Sequence, residues 1–535
     1  MENYMNPIRV VTAQDALQTA NILNDSSCQV PVILKPYSEI LEDCITIKEG
    51  GYILLDFGRE LHGGVCIAVQ SASSLPAEMN ITFGESVMEA LSNLGEKNSD
   101  NYHSVKYWTV PVWQMSTQEV GHTGFRFVKL KASKANIKVR TVKAVPKIRN
   151  IEYKGSFKCN DELLNEIWRT GAYTVHLNMH DYLWDGIKRD RLVWIGDMHP
   201  EVATINAVFG NDECVPRSLE LCKERTSPDK WMNDAATYSM WWIIIHYEWY
   251  MHWGDIGYLM EQKQYLIKLI EHTFEWVDSG FDGEGMVGFV DWSSKETESE
   301  VEGRKSITCM GLDCAAKLFE ILDEAEYTKK CNAYVEKIRA EKIEKGSNKR
   351  MSALTVLSGR DSSYAENVIS GNSAEEMACF MGYYVLKAKA KLGDYKDALD
   401  IIRAYWGGML KMGATTFWED FDIKWMENSA GIDEVTPEGM NDIHGDFGKY
   451  CYQGFRHSLC HGWASGPTPF LIEQIGGIEI LEPGCKKLKI SPNLGDLEWI
   501  DIEYPTPYGN VRVQGEIQDG EVKTDITAPK EIKII

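Results

Sequence analysis

Through the first 150 positions apolar and polar residues alternate over short runs. "GGYILLDFGRELHGGVCIAVQ", "EMNITFGESV", "KYWTVPVW" and "FRFVKLKA" alternate or concentrate β-branched side chains, and Gly, Asn and Pro bound them. A period of two puts one face of a strand on a core, so this spacing predicts β structure, packed most simply as a sandwich. The period changes at "GSFKCNDELLNEIWRTGAYTVHLNMHD", where Asn160 suits a helix N-cap, acids follow in the first turn, and apolar residues recur at three and four. A helical region therefore begins near residue 157.

Within it one unit recurs: helix, tight turn, helix. "YSMWWIIIHYEWYMHWGDIGYLMEQKQYLIKLIEHTFEWV" turns at Gly254-Asp255, and "AEEMACFMGYYVLKAKAKLGDYKDALDIIRAYW" turns at Gly393-Asp394. "CMGLDCAAKLFEILDEAEYTKKCNAYVEKIRAEKIEK" reads as a third hairpin with an acidic turn. Glycine at a helix end accepts the left-handed conformation that stops the first helix and lets the second fold back. Hairpins repeated over about 320 residues suggest either a toroid of paired helices or an open solenoid. After residue 475, "KKLKISPNLG", "EWIDIEYPTPYGNVRVQG" and "VKTDITAPKEIKII" return to alternating strands with Pro and Gly turns. The expected architecture is multidomain α+β, with a β-sandwich at 1–154, a helical domain at 155–475 and a second small sandwich at 476–535.

Composition narrows the partners. The chain of 535 residues carries 79 acidic and 56 basic side chains, a formal charge of −23, which repels phosphate backbones and anionic lipid surfaces. Neither nucleic acid nor membrane is expected as a partner. "MWWIIIHYEWYMHW" falls short of the ~20 apolar residues of a membrane span and reads as a buried helix. "MENYMNPIRVVTAQDALQ" lacks the basic and apolar regions of a secretory signal, so a cytoplasmic protein is expected. Thirteen scattered cysteines without a CxxC pair or zinc spacing read as reduced structural thiols; Cys460 reads as core. No metal or cofactor is expected.

Fourteen of the 17 tryptophans lie between residues 168 and 463, many beside acids: Trp184-Asp185, Asp291-Trp292, Trp418-Glu419. A sugar needs an aromatic face for its C–H groups and carboxylates for its hydroxyls, whereas a core indole needs no acidic neighbour. In "DYLWDGIKRDRLVWIGDMHPE", a helix starting after Gly186 would put Asp190, Trp194, Asp197 and Glu201 on one face. Spacing alone fits an ion-paired solvated face equally well, with Arg189 and Arg191 flanking Asp190. "GATTFWEDFDIKW" offers Glu419 in an aromatic setting, and "FRHSLCHGWASGPTPF" offers His457, His461 and Trp463. The chain has no GxxxxGK[ST], no GxGxxG after a strand, no GxSxG and no HExxH. Separated carboxylates in an aromatic, helical setting then point to glycosidic bond cleavage.

At these residues a resemblance appears. "DGIKRDRLVWIGDM" resembles the signature of bacterial α-L-rhamnosidases of glycoside hydrolase family 78, "TTFWEDFD" and "SLCHGWASG" look like that family's base-bearing and histidine segments, and "PTPYGNVRV" looks like its carboxy-terminal sandwich. "LLDFGRELHGGVCIAV" and "TGFRFVKL" are similar to its amino-terminal β-domain. The resemblance implies an (α/α)6 barrel flanked by β-sandwiches, and inverting removal of terminal α-L-rhamnose, or a close relative, from a short glycan or glycoside. It implies Asp190 as general acid and Glu419 as general base. It places Asp185, Arg189, Trp194, Asp197, Asp291, Trp292, Trp418, His461 and Trp463 at the sugar. Two departures stand out: Asp190 occupies a position where the family usually has Glu, and Gly186-Ile187 replaces the proline expected after Asp185. These departures keep two alternatives open, a rhamnosyl-glucuronate lyase on the same scaffold and a non-catalytic carbohydrate-binding protein. The sequence fits a monomer or a homodimer.

Overall fold

The computed structural model describes residues 4–24, 37–102, 105–282, 286–292, 298–343, 348–360 and 363–535. Helix and sheet are both extensive, and the chain divides into two compact units, each assembled from three stretches. The first comprises Met1–Asn150, Gly186–Arg191 and Met409–His461; the second comprises Ile151–Asp185, Leu192–Gly408 and Gly462–Ile535. Two pieces from within the helical stretch thus belong to the unit that begins with the β region.

In the first unit six strands make one sheet: β1 (Arg9–Leu17), β2 (Ile45–Ala72), β3 (Ala77–Gly84), β4 (Tyr107–Val112), β5 (Ser116–Lys134) and β6 (Ile137–Pro146). Their order is β1-β2-β5-β3-β4, with β6 also on β2, and all pairings are antiparallel. The β2–β5 register slips between Asp56 and Leu61, which lets one long strand change direction. Apolar positions such as Ile53, Leu55, Phe57, Phe83, Phe125 and Val128 gather into one buried core, as alternation requires.

The helical hairpins form where the sequence spacing puts them. Ala236–Trp253 ends at Gly254, whose φ of 73° is left-handed, and Asp255 then caps Ile256–Asp278 by accepting from the Tyr258 N–H. Gly393, at φ 86°, separates Gly382–Lys391 from Tyr395–Lys411. The acidic turn separates Glu298–Ile321 from Ala325–Arg339. Trp241, Trp242 and Ile243–Ile245 are all buried, so the helix that carries them is apolar on every side. Among the described residues no helix is long and apolar enough to cross a membrane.

The last segment is again sheet. Trp499–Tyr504, Val511–Gln518 and Glu521–Thr527 pair in sequence, and Ser156–Cys159, from the start of the second unit, pairs with Trp499–Tyr504. None of the twelve described cysteines is in a disulfide; Cys28 lies outside the described residues.

Candidate active site

The stretch from Gly186 to Asp197 does not form the helix that its spacing suggests. Asp190 and Arg191 have φ of 57° and 53°, consecutive left-handed conformations that no right-handed helix contains. The helix begins only at Met198 and runs to Val208, with Asp197 as its N-cap. Pro200 supplies the reason: without an N–H, and with a ring that meets the preceding turn, it fits only the first turn of a helix. Asp190 and Trp194 therefore share no helical face with Asp197 and Glu201.

In the first unit the loop has another use. Lys188 and Arg189 are both buried. Arg189 donates through Nη2 to Glu419 Oε1, and its Nη1 lies 3.5 Å from Asp190 Oδ2. One guanidinium thus spans the two carboxyls expected as acid and base. Their exposure differs: the Asp190 side chain is 21% exposed, that of Glu419 only 4%. Glu419 is fixed at both oxygens, because the Ser458 N–H donates to Oε2 at 2.9 Å while its own N–H donates to the Ser458 carbonyl at 2.9 Å. His461 Nε2 lies 3.5 Å from Glu419 Oε1. Burial, with the nearby Arg189 charge, pushes the His461 imidazole down to about 3 even though Asp190 opposes the shift, so the ring is neutral at ordinary pH. Arg189 is held fully charged: burial works against its charge, and Glu419 and Asp190 outweigh that cost. Trp418 is wholly buried, edge-on to Phe421 and His457.

The remaining expected residues lie in the second unit, where Tyr238 links most of them. Its hydroxyl donates to Asp197 Oδ1 at 3.1 Å, and Trp194 meets its ring edge-on. Phe289 contacts both Tyr238 and Trp292, and Asp291 is close enough to raise the Tyr238 hydroxyl, after burial and Asp197. Asp185 Oδ1 accepts from the Leu192 N–H at 2.9 Å, and its carbonyl accepts from Gly462 at 2.9 Å. Trp463 stacks on Phe380 with the rings 8° from parallel. Glu201 is wholly buried, and burial first, then Asp197 and Asp185, pushes its carboxyl well above the usual range.

Sequence reasoning missed Tyr238, Phe289, Lys188 and the carboxylates of the amino-terminal sheet. Tyr238 stands in an apolar helix where nothing in the spacing separates it from core. Glu85 and Glu89 are generic acids near a strand end, and their partner Lys188 comes 99 residues after Glu89.

Residues 152–353 match the bacterial alpha-L-rhamnosidase 6 hairpin glycosidase domain, and residues 477–534 match the bacterial alpha-L-rhamnosidase C-terminal domain. An alpha-L-rhamnosidase of Formosa agariphila is 21% identical over 96% of this chain and 58% of its own length. Among solved structures, a GH78 family rhamnosidase of Bacillus sp. GL1 superposes with a TM-score of 0.73 at 20% identity, over 96% of this chain and 55% of that one. A rhamnosidase from Klebsiella oxytoca with rhamnose bound gives 0.70 at 18% identity, over 88% of this chain and 95% of that one. The chain thus spans little more than half the length of the Formosa and Bacillus relatives and nearly all of the Klebsiella one. The chain thus carries two segments that match bacterial alpha-L-rhamnosidase domains, and over nearly its whole length its fold is similar to that of GH78 rhamnosidases.

Proposed function

We propose that the protein is a glycoside hydrolase that removes terminal non-reducing α-L-rhamnose, or a close relative of that sugar, from an oligosaccharide or glycoside with inversion. The observation that carries this reading is the Arg189 guanidinium between Asp190 and Glu419. Because one planar group reaches both carboxyls, their oxygens are no more than about 8 Å apart, compatible with the ~6.5 to 9.5 Å that leaves room for a water in an inverting site.

Glu419, oriented at both oxygens, takes a proton from the water that attacks the anomeric carbon. Asp190, the more exposed carboxyl, gives its proton to the leaving oxygen. A side chain one methylene shorter than Glu reaches less far, and the left-handed backbone at 190 and 191 changes the path from which Asp190 extends. Arg189 orders the pair. Asp185 and Asp197 are assigned to sugar hydroxyls, and Trp194, Asp291, Trp292, Trp418, His461 and Trp463 to the remaining sugar contacts. The same reading includes an (α/α)6 barrel with flanking sandwiches at about the boundaries read from sequence, and a cytoplasmic location, which ten buried cysteines outside any disulfide support.

The test is hydrolysis of an aryl α-L-rhamnoside, with the product anomer followed by NMR. Wild type should release the β anomer first, and Asp190→Asn and Glu419→Gln should each lower kcat by about 10²–10⁴. Turnover retained in both variants overturns the roles. An unsaturated uronate absorbing in the ultraviolet, formed from a rhamnosyl-glucuronate, would replace hydrolysis with elimination.

A further inference from the structure

The first unit contains a second group of buried charges, built largely by its sheet. Glu60 lies on β2, Glu85 follows the end of β3, and Glu89 lies in the short helix Val87–Leu91; all three are buried. Glu85, Glu89 and His444 bring ligand atoms within 4.8 Å of one another, a spacing that a cation would accept. The cation there is the Lys188 ammonium, 3.0 Å from Glu85 Oε2 and 3.3 Å from Glu89 Oε1. The same ammonium donates to the carbonyls of Phe455 at 3.0 Å and His457 at 2.5 Å.

Two routes lead from Glu85 to Glu419. One passes through Lys188, whose chain neighbour Arg189 donates to Glu419 Oε1. In the other, Glu85 Oε2 accepts from the Leu459 N–H at 2.6 Å and Glu85 Oε1 from the Ser458 hydroxyl at 3.3 Å, while the Ser458 N–H holds Glu419 Oε2. Both oxygens of Glu419 are therefore set by groups on residues that Glu85 holds or on their chain neighbours: Arg189 beside Lys188, and the Ser458 N–H beside the Ser458 hydroxyl and Leu459. We propose that Glu85, contributed by the amino-terminal β region, is a positioning residue for Glu419, acting through Lys188–Arg189 on one side and Ser458–Leu459 on the other. The inference rests on the reading of Glu419 as the general base. Its surroundings suit the role. Burial pushes the Glu85 carboxyl up to about 7 against the opposing Lys188 charge, so the residue is held in a dry setting where a lost charge is felt at short range. Glu60, Glu89, Lys106, Arg126, His444 and His457 are further charged or titratable groups of this cluster, all buried.

The experiment uses the full chain with Glu85→Gln, which keeps shape and removes the charge, and Glu85→Asp, which keeps the charge and shortens the reach. Glu85→Gln should lower kcat on an aryl α-L-rhamnoside 10- to 100-fold with KM changed less than threefold. The loss should be greatest above about pH 7, where the wild-type Glu85 carboxyl is ionised, and should shrink as pH falls through that value and the wild-type residue becomes neutral too. Glu85→Asp should recover part of kcat and restore the wild-type pH dependence. In a double-mutant cycle, Glu85→Gln with Lys188→Met should lose less than the two single losses combined, since both act on one route. If Glu85→Gln does not fold, Glu85→Asp and Ser458→Ala are read by the same split of kcat from KM. A folded Glu85→Gln with wild-type kcat and pH profile, and with Arg189 and Glu419 undisplaced in its crystal structure, overturns the proposal. Glu419→Gln separates the two readings: turnover retained there removes Glu419 as the base, whereas turnover lost there and unchanged in Glu85→Gln removes only the positioning role.

Discussion

Arg189 and Glu419, 230 residues apart, form a charge pair with side chains 7% and 4% exposed. Burying both charges has a large desolvation cost, and the pair persists because each charge compensates the other. Arg189→Met would leave Glu419 buried without its partner, and we expect a loss of about 3–5 kcal/mol in urea unfolding. Arg189→Lys keeps a charge and loses the planar fork, so we expect it to fold better than Arg189→Met and still lose activity. Equal stability of wild type and Arg189→Met in urea would contradict the pairing.

A second buried pair, in the same unit, gives a pH signature. Asp56 accepts from Arg126 Nε at 2.9 Å and Nη2 at 3.1 Å, from Arg9 Nε at 2.8 Å and from the Gly58 N–H at 2.7 Å. Burial alone would raise this carboxyl, but the Arg126 hydrogen bonds and charge bring it below its ordinary value. A depressed carboxyl stabilises the fold above its unfolded pKa, and that contribution is lost as pH falls through the folded value. Asp56→Asn should therefore cost most near pH 7, and its difference from wild type should shrink as the medium is made more acidic than about pH 4. A difference constant from pH 7 to pH 3 would refute this.

Glu201 carries the opposite sign. Its raised carboxyl keeps a proton that the unfolded chain releases in the ordinary range, so the folded state binds more protons and stability falls as pH rises from that range. Glu201→Gln, neutral at every pH, should match wild type at pH 4.5 and melt higher at pH 8, by about 2–4 °C. Parallel melting curves across that interval would rule the raised carboxyl out.

Gly462 tests the same place by size. A Cβ there would lie 1.5 Å from Glu201 Oε1 and 2.4 Å from its Cδ, so one of the two must move. Gly462→Ala should be strongly destabilising, by about 1–3 kcal/mol or more, and Gly462→Ala with Glu201→Ala should lose less than the two single losses together. Simple additivity in thermal melts would show that the carboxyl does not fill that space.

His461 gives a spectroscopic prediction. With its imidazole pushed down to about 3, an isotope-labelled histidine spectrum should show this ring unchanged between pH 5 and 8. Because the folded ring resists a proton that the unfolded one accepts near 6.5, the residue weakens the fold as pH drops below that value. A titration midpoint close to 6.5 would mean that the ring is solvated.

The helical hairpins were legible because Gly254-Asp255 and Gly393-Asp394 are local signals that act within one turn of chain. That Arg189, Asp190 and Glu419 come together was legible through motifs, not through periodicity. Where periodicity was used in that stretch it failed, because Pro200 and two left-handed residues outweigh a three-and-four spacing of acids. Tyr238, and the grip of Glu85 and Glu89 on Lys188, could not be read at all. Burial makes those contacts strong, and burial depends on packing between residues far apart in the chain.

The first unit's composition from three separated stretches bears on how the protein is made. On a ribosome adding roughly 5–20 residues per second, the sheet ending at Pro146 emerges well before Lys188, and the segment that ends at His461 follows tens of seconds later. Before Lys188 emerges, Lys106 beside Glu89 and Arg126 near Glu60 are cations that the emerged sheet region already supplies. In that interval the acids must stay in water or take up protons, and a fragment cut at Asn150 would remain in that unfinished condition.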